Sequence, residues 1–287
     1  MEQKVIFITG ATNGIGKITA KELAKQGHIV IIHGRSSEKT KAVCEEIKAE
    51  TGNPNVDFLL ADLFLLAEVR KLAEAFKQKY DRLDILINNA GGVFGKERQL
   101  TKEGIEQTFA LNLFSPFLLT HLLLDLLAKS PAARIVEVAS AAYKYGGQPD
   151  YNDFQVEKSY EVMRAYGLAK LYVIWNTRHL AKLLKEKGLN NITVNALHPG
   201  SIATNFGQTT DKGWLYNFAF QLTRPFLLSP EKGAETTIYL ASSDEVKNIS
   251  GQYFEKKKIA KVTVDKKYYS AENEQLVWEY CRKLTES

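Results

Sequence analysis

Residues Lys4-Val5-Ile6-Phe7-Ile8-Thr9 run directly into Gly10-Ala11-Thr12-Asn13-Gly14-Ile15-Gly16, and this stretch decides the fold. Its first half is a short apolar, β-branched run that reads as a buried strand. Residues 15–26 carry the helical period and stop at Gly27. The glycines therefore fall in a strand-to-helix turn. There they permit a tight turn and close backbone approach, while the helix end offers unpaired N–H groups to an anion. A purely structural turn would use the same glycines. The strand before, the helix after and the βαβ unit that follows favour a dinucleotide phosphate.

Outward from this turn, short β-branched runs alternate with helix-period segments. Strands are predicted at 4–9, 29–33, 56–61, 83–88, 134–139, 192–197 and 251–255, and helices at 15–26, 38–50, 66–80, 101–128, 162–187 and 230–241. That order predicts an α/β fold: a doubly wound, mostly parallel seven-stranded sheet with helices on both faces, in a single domain over 1–287. Two segments break the rhythm. Residues 143–161 form a long polar and aromatic loop, and 205–228 form an insertion dense in Trp, Tyr, Phe and Leu.

Composition narrows the function. With 287 residues, 45% hydrophobic and 25% charged, the chain can bury a large core. A net charge of +5 is far from the concentrated charge of a dedicated nucleic-acid binder. Two cysteines, Cys44 and Cys281, are too few for a disulfide framework or a cysteine-rich zinc site, and the histidines show no paired ligand spacing, so no metal site is expected. These features fit a reducing, cytoplasmic setting. The longest apolar stretch, 114–128, is interrupted by Pro116, His121 and Asp125, so no transmembrane anchor is expected. One side of that helix is a candidate subunit interface. Lys256, Lys257, Lys258 and Lys261 read most simply as a solvated edge.

The second strand ends His33-Gly34-Arg35-Ser36-Ser37, with no acid to meet a ribose 2′-hydroxyl. Arg35, with Lys17 nearby, is placed to receive a 2′-phosphate, which favours NADP(H) over NAD(H). The plainer alternative is two solvated cations. Tyr166 and Lys170 sit one turn apart on a helix, about 6 Å along its axis, on a stripe that continues through Val173, Thr177, Leu180, Ala181 and Leu184. A lysine on a core-facing stripe is costly without a partner and asks for a functional explanation. The same spacing recurs at Tyr253 and Lys257, but in a strand the two would stand about 13 Å apart.

Together the glycine turn with Thr9, Asn88-Asn89-Ala90-Gly91, Ser140 closing a strand, Tyr166 with Lys170, and Pro199-Gly200 resemble the short-chain dehydrogenase/reductase family over nearly the whole chain. Gly16-Lys17, Phe109-Ala110-Leu111-Asn112-Leu113, His198-Pro199-Gly200 with Thr204, Gly233-Ala234-Glu235-Thr236, Ser250-Gly251-Gln252-Tyr253-Phe254 and Leu276-Val277-Trp278-Glu279 resemble its retinol dehydrogenase-like branch. The wide gap between Ser140 and Tyr166 is shared with that branch. Ala139 stands where the branch often has a first serine.

The resemblance implies a Rossmann sheet and a catalytic set of Asn112, Ser140, Tyr166 and Lys170. Tyr166 would be the general acid/base. Lys170 would hold the nicotinamide ribose and lower the tyrosine pKa, Ser140 would bond the carbonyl oxygen, and Asn112 would position a relay water. The implied cofactor residues are Gly10, Thr12, Asn13, Gly14, Ile15, Gly16, Arg35, Asp62, Leu63, Asn89, Ala90, Gly91, Tyr166, Lys170, Pro199, Gly200 and Thr204. Asp62 has an alternative as a helix cap, and Asn88 and Asn89 as strand-end turn residues. The expected reaction interconverts a lipophilic carbonyl and its alcohol, with 205–228 covering the substrate. A dinucleotide-binding redox sensor or scaffold is the alternative, although a sensor has no need of all four catalytic residues.

Overall fold

The computed structural model describes residues 3–200 and 229–286. Its centre is one sheet in the order β3-β2-β1-β4-β5-β6-β7-β8. The strands are β1 Val5–Ile8, β2 Ile29–Gly34, β3 Val56–Leu60, β4 Ile85–Asn88, β5 Ala133–Val138, β6 Ile192–His198, β7 Tyr253–Glu255 and β8 Lys258–Ile259. The first seven pair in parallel, and β8 folds back antiparallel on β7. This eighth strand, with two residues, adds to the seven read from the sequence. It is made by a turn in which Lys256 and Lys257 adopt φ of 49° and 63°. The second Tyr-x-x-x-Lys pair is therefore split between a strand and a turn.

Alternation along the strands divides the core in two. Phe7, Ile31, Leu86 and Ile135 pack into one helical layer, while Ile6, Ile8, Val30, Ile32, Ile85, Ile87 and Val136 pack into the other. Strands covered on both faces read as continuous apolar runs. The sequence locates them well for that reason.

The helices are α1 Gly14–Lys25, α2 Ser37–Thr51, α3 Leu66–Lys79, α4 Gln107–Phe109, α5 Ser115–Leu122, α6 Leu124–Ala128, α7 Val162–Glu186, α8 Pro230–Ser242, α9 Asp265–Tyr268 and α10 Ala271–Glu286. The helix predicted over 101–128 is corrected. Residues 101–105 form a turn in which Thr101 Oγ1 accepts the N–H of Glu103 and Ile105 and Gly104 takes φ of 77°. Between α4 and α5 the chain opens into a π-turn, Ala110–Phe114, with Ser115 N–H donating to Ala110 O. Pro116 explains it: proline has no N–H for the carbonyl of Asn112, and its ring displaces that carbonyl. Among the described residues no helix is long and apolar enough to cross a membrane.

Chain order runs β1-β2-β3 to one side and then β4-β5-β6-β7 to the other, so the sheet reverses direction between β1 and β4. A crevice opens at the carboxyl ends of the strands at such a switch point.

Candidate active site

The glycine turn lies at that crevice. Gly10 and Gly14 take φ of 63° and 54°, which L-residues rarely adopt. A Cβ on Gly10 would lie 2.9 Å from Ala90 Cα, and one on Gly16 would lie 2.4 Å from Asn89 Nδ2. The first glycine shapes the turn and the third lets α1 rest against the end of β4. Asn13 caps α1 through its side chain, and the first turn of that helix carries no acid, so its positive end remains available to an anion. Ile15 is half-buried in this turn. Thr12 is half-buried against Gly34, whose missing Cβ would meet Thr12 Cγ2 at 2.4 Å.

Asn89 ties the two halves together. Its Nδ2 donates to the carbonyls of Thr9 and Gly10 at 2.9 and 3.1 Å, while Thr9 Oγ1 accepts the N–H of Asn89 and Ala90 at 3.0 Å each. Arg35 is exposed at the end of β2 and makes no ion pair among the described residues, whereas Lys17 is paired with Glu46. Of the two cations, only Arg35 is uncommitted. Asp62 Oδ1 accepts the N–H of Phe64, making a local turn and not a cap; the N–H groups of Leu66 and Ala67 that open α3 are held by Glu103 at 2.7 and 3.0 Å. Leu63 is buried in the core. Pro199 and Gly200, the latter with φ of 99°, follow β6. Thr204 and the segment 205–228 lie outside the described residues.

Across the switch point stand the four catalytic candidates. Tyr166 and Lys170 are 5% and 4% exposed on α7, and the Lys170 ammonium lies 5.8 Å from the Tyr166 ring centre. Lys170 Nζ donates to Val138 O at 2.8 Å, which anchors it to the end of β5. Ser140 follows that strand and is hydrogen-bonded to Tyr166. Its Oγ also accepts the N–H of Ala142 at 3.1 Å. Asn112 sits in the π-turn, with Nδ2 donating to Gly92 O and Thr108 O and Oδ1 accepting Gly92 N–H. A Cβ on Gly91 would lie 2.8 Å from Asn112 Oδ1 and 3.3 Å from Lys170 Nζ, so these two groups meet over Gly91.

Burial pushes the Tyr166 phenol well above its ordinary value, and the Ser140 hydrogen bond opposes this. Burial pulls Lys170 down to about 8, with the charge of Glu137 opposing. The phenol is therefore neutral at neutral pH, in the form that donates a proton.

Three contributors went unmarked in the sequence. Gly167, beside Tyr166, lets the 3-10 turn Ala141–Tyr145 lie directly on α7: a Cβ there would sit 2.5 Å from Gly146 N and 2.6 Å from Ala142 O. A glycine inside a helical pattern was the available signal. His33 lies buried beneath the glycine turn, its Nδ1 accepting Gly10 N–H and its Nε2–H donating to Ala61 O, both at 3.2 Å. Glu137 is buried on β5 below Lys170. Neither of these two carries a local signal.

A doubly wound sheet whose switch point holds a glycine cradle, a buried Tyr–Lys pair and a half-buried serine has the architecture of a Rossmann-fold oxidoreductase. The sequence profile of the short chain dehydrogenase family matches residues 4–213, and the chain belongs to that family, in its retinol dehydrogenase-like branch. Retinol dehydrogenase 13 of Mus musculus is 39% identical over 259 residues, 88% of this chain and 75% of that protein. Polyprenol dehydrogenase of Homo sapiens is 38% identical over 263 residues, 90% of this chain and 78% of that protein. Among solved structures, a short chain dehydrogenase from Burkholderia cenocepacia in complex with NADP is 27% identical, with a TM-score of 0.68, over 88% of this chain and 95% of that one.

Proposed function

We propose that the protein is an NADP(H)-dependent oxidoreductase that interconverts a lipophilic aldehyde or ketone and its alcohol, with Tyr166 as general acid/base. The observation that carries this reading is the convergence of the half-buried Ser140 with the buried Tyr166 and Lys170, next to Gly91 and across the crevice from the glycine cradle. The cradle suits a dinucleotide: two positive-φ glycines, a helix end free of acids and an uncommitted Arg35. The 10–16 turn would hold the pyrophosphate and Arg35 the 2′-phosphate. Asp62, Leu63 and Asn89 to Gly91 would border the adenosine, and Pro199, Gly200 and Thr204 the nicotinamide. When bound, NADPH supplies the hydride for the carbonyl carbon.

The chain's own residues supply the rest. Ser140 donates a hydrogen bond to the carbonyl oxygen and Tyr166 donates its proton as negative charge builds there. Lys170 orients the ribose and favours the phenolate left behind. Both side-chain N–H groups of Asn112 are committed, and its main-chain carbonyl has no partner four residues on, because that residue is Pro116. That carbonyl is the place for a relay water.

Lipophilicity of the substrate is supported by the aromatic and leucine content of 205–228 and by the two relatives, whose names specify long apolar alcohols. In a series of aldehydes, each added methylene should raise kcat/KM by up to ~0.8 kcal/mol, a factor of about four, until the pocket is full. A flat series, or a preference for polar sugars, contradicts the reading.

A further inference from the structure

We infer that Tyr280, on the terminal helix, is a positioning residue for the substrate: through Gln155 it fixes the two connections that leave the carboxyl ends of β4 and β5, and so sets how firmly the far end of a long apolar chain is held. The inference rests on the reaction of a lipophilic carbonyl proposed above.

Ligands of a doubly wound sheet bind outside the carboxyl ends of its strands. Two long connections start there, 92–106 beyond Gly91 and 146–161 beyond the turn that follows Ser140. The second has no helix or strand of its own, and a connection of that length in a compact domain is usually functional. Its near end is pinned beside the site. Arg164, two residues before Tyr166 on α7, donates from Nη1 to Gly146 O at 3.0 Å and from Nη2 to Gln148 O at 2.9 Å. Its middle is pinned by α10. There the Phe154 ring stacks on Tyr280, with centres 4.0 Å apart and planes 5° from parallel, and Gln155 Nε2 donates to the Tyr280 hydroxyl at 2.8 Å.

Gln155 is also the link to the other connection. Its Oε1 accepts the N–H of Glu106 at 2.8 Å, and Glu106 in turn caps α4 by accepting Phe109 N–H at 3.0 Å. Gln155 and Glu106 are 9% and 1% exposed, so these bonds are made away from water, where a group left without its partner is costly. Nearer the surface, Arg98 of the first connection pairs with Glu157 of the second at 3.3 Å. Tyr280 meets the π-turn as well: its ring centre lies 5.9 Å from that of Phe114, two residues beyond Asn112. One side chain of α10 thus holds 146–161 directly and the connection after β4 through a single amide.

Backbone strain sits at the same point. Val156, next to Gln155, takes φ of 54° although it is β-branched and buried. Such a residue keeps that conformation only where its surroundings over-determine it, and strained positions of this kind cluster at ligand clamps and switches. Apolar packing alone would let the loop settle on α10 in several registers. A buried amide that must satisfy a donor on one element and an acceptor on another admits one.

The consequence depends on substrate length. A short aldehyde reaches Ser140 and Tyr166 without extending along these connections, whereas a long one lays its outer methylenes against them. Loosening the connections therefore weakens the hold on the long substrate and leaves the chemistry at the carbonyl alone.

The test is Tyr280→Phe, which keeps the ring on Phe154 and removes the acceptor of Gln155. In a series of straight-chain aldehydes from butanal to decanal, the rise of kcat/KM with chain length should flatten. Decanal should lose about fivefold or more, all of it in KM, while butanal kinetics, kcat and the Kd for NADPH stay within about twofold of wild type. A loss by the same factor at every chain length, or no loss, overturns the inference, because a merely structural contact has no reason to sense the substrate's tail. Should the variant fail to fold, amide hydrogen exchange of the wild type with NADPH replaces it. Decanol should slow exchange within 146–161 and butanol should not; protection that is absent, or equal with the two alcohols, overturns the inference. The wild-type series separates this result from the reading beneath it. If that series is flat, the lipophilic substrate falls and this inference with it; if it rises and Tyr280→Phe follows it in parallel, only the role of Tyr280 falls.

Discussion

In the proposed function, Arg35 is the residue on which cofactor choice would turn. It is exposed, and it has no competing carboxylate because the neighbouring Lys17 has taken Glu46. A charge-assisted contact with a 2′-phosphate is worth about 1.5–3 kcal/mol, so NADPH should bind about one to two decades more tightly than NADH. Arg35→Asp should narrow or reverse that preference in fluorescence titrations, whereas equal affinities in the unmutated protein would remove the assignment. The sequence could single out Arg35, Tyr166 and Lys170 because their cues are local, a strand end without an acid and a one-turn spacing on a helix, and the structure places Tyr166 and Lys170 together on the buried α7. Glu137 was not legible. Its partners Asn88 and Thr120 stand 49 and 17 residues away, and only sheet pairing and helix packing bring them together.

The 3-10 turn that carries the chain from Ser140 across α7 depends on the missing Cβ of Gly167. Gly167→Ala should gain about 0.5–1 kcal/mol of helix propensity and lose about 1–3 kcal/mol to overpacking, since the new Cβ meets the backbone of Gly146 and Ala142. Urea denaturation should show net destabilisation. The kcat should fall as well, because the turn must lift Ser140 from Tyr166; a variant of wild-type stability and kcat would show that the close packing is dispensable. The sequence identified the strands and α7 because their burial is periodic or continuous. It overran at 101–128, where the apolar content of a helix is present but Thr101, Gly104 and Pro116 impose a turn and a π-opening. The terminal helix α10 went unread: its motif was visible, yet the burial of Val277, Trp278 and Cys281 arises from packing against α7. The sequence stripe on α7 was likewise too narrow, since 165–177 is buried on every side.

At the scale of the whole molecule, the sheet's cofactor edge depends on His33, which links the first glycine to the end of β3. Burial pulls His33 down to about 4, below its ordinary 6.5, so its contribution is complete above pH 6.5 and is lost as pH falls through 4. That interval corresponds to roughly 3 kcal/mol of stability, and His33→Gln should lack this part of the acid slope in urea midpoints measured from pH 7 to pH 4. An identical slope in both proteins would place the acid sensitivity elsewhere. In the proposed function the site joins a cofactor cradle to a buried acid, and the two functions should be separable. The direct measurement compares wild type with Tyr166→Phe for NADPH affinity and for turnover of a long-chain aldehyde. Tyr166→Phe should bind NADPH with nearly unchanged Kd and lose almost all kcat, because the phenol O–H serves proton transfer and not the cofactor. A Tyr166→Phe protein that reduces the aldehyde at a rate near wild type would contradict the account.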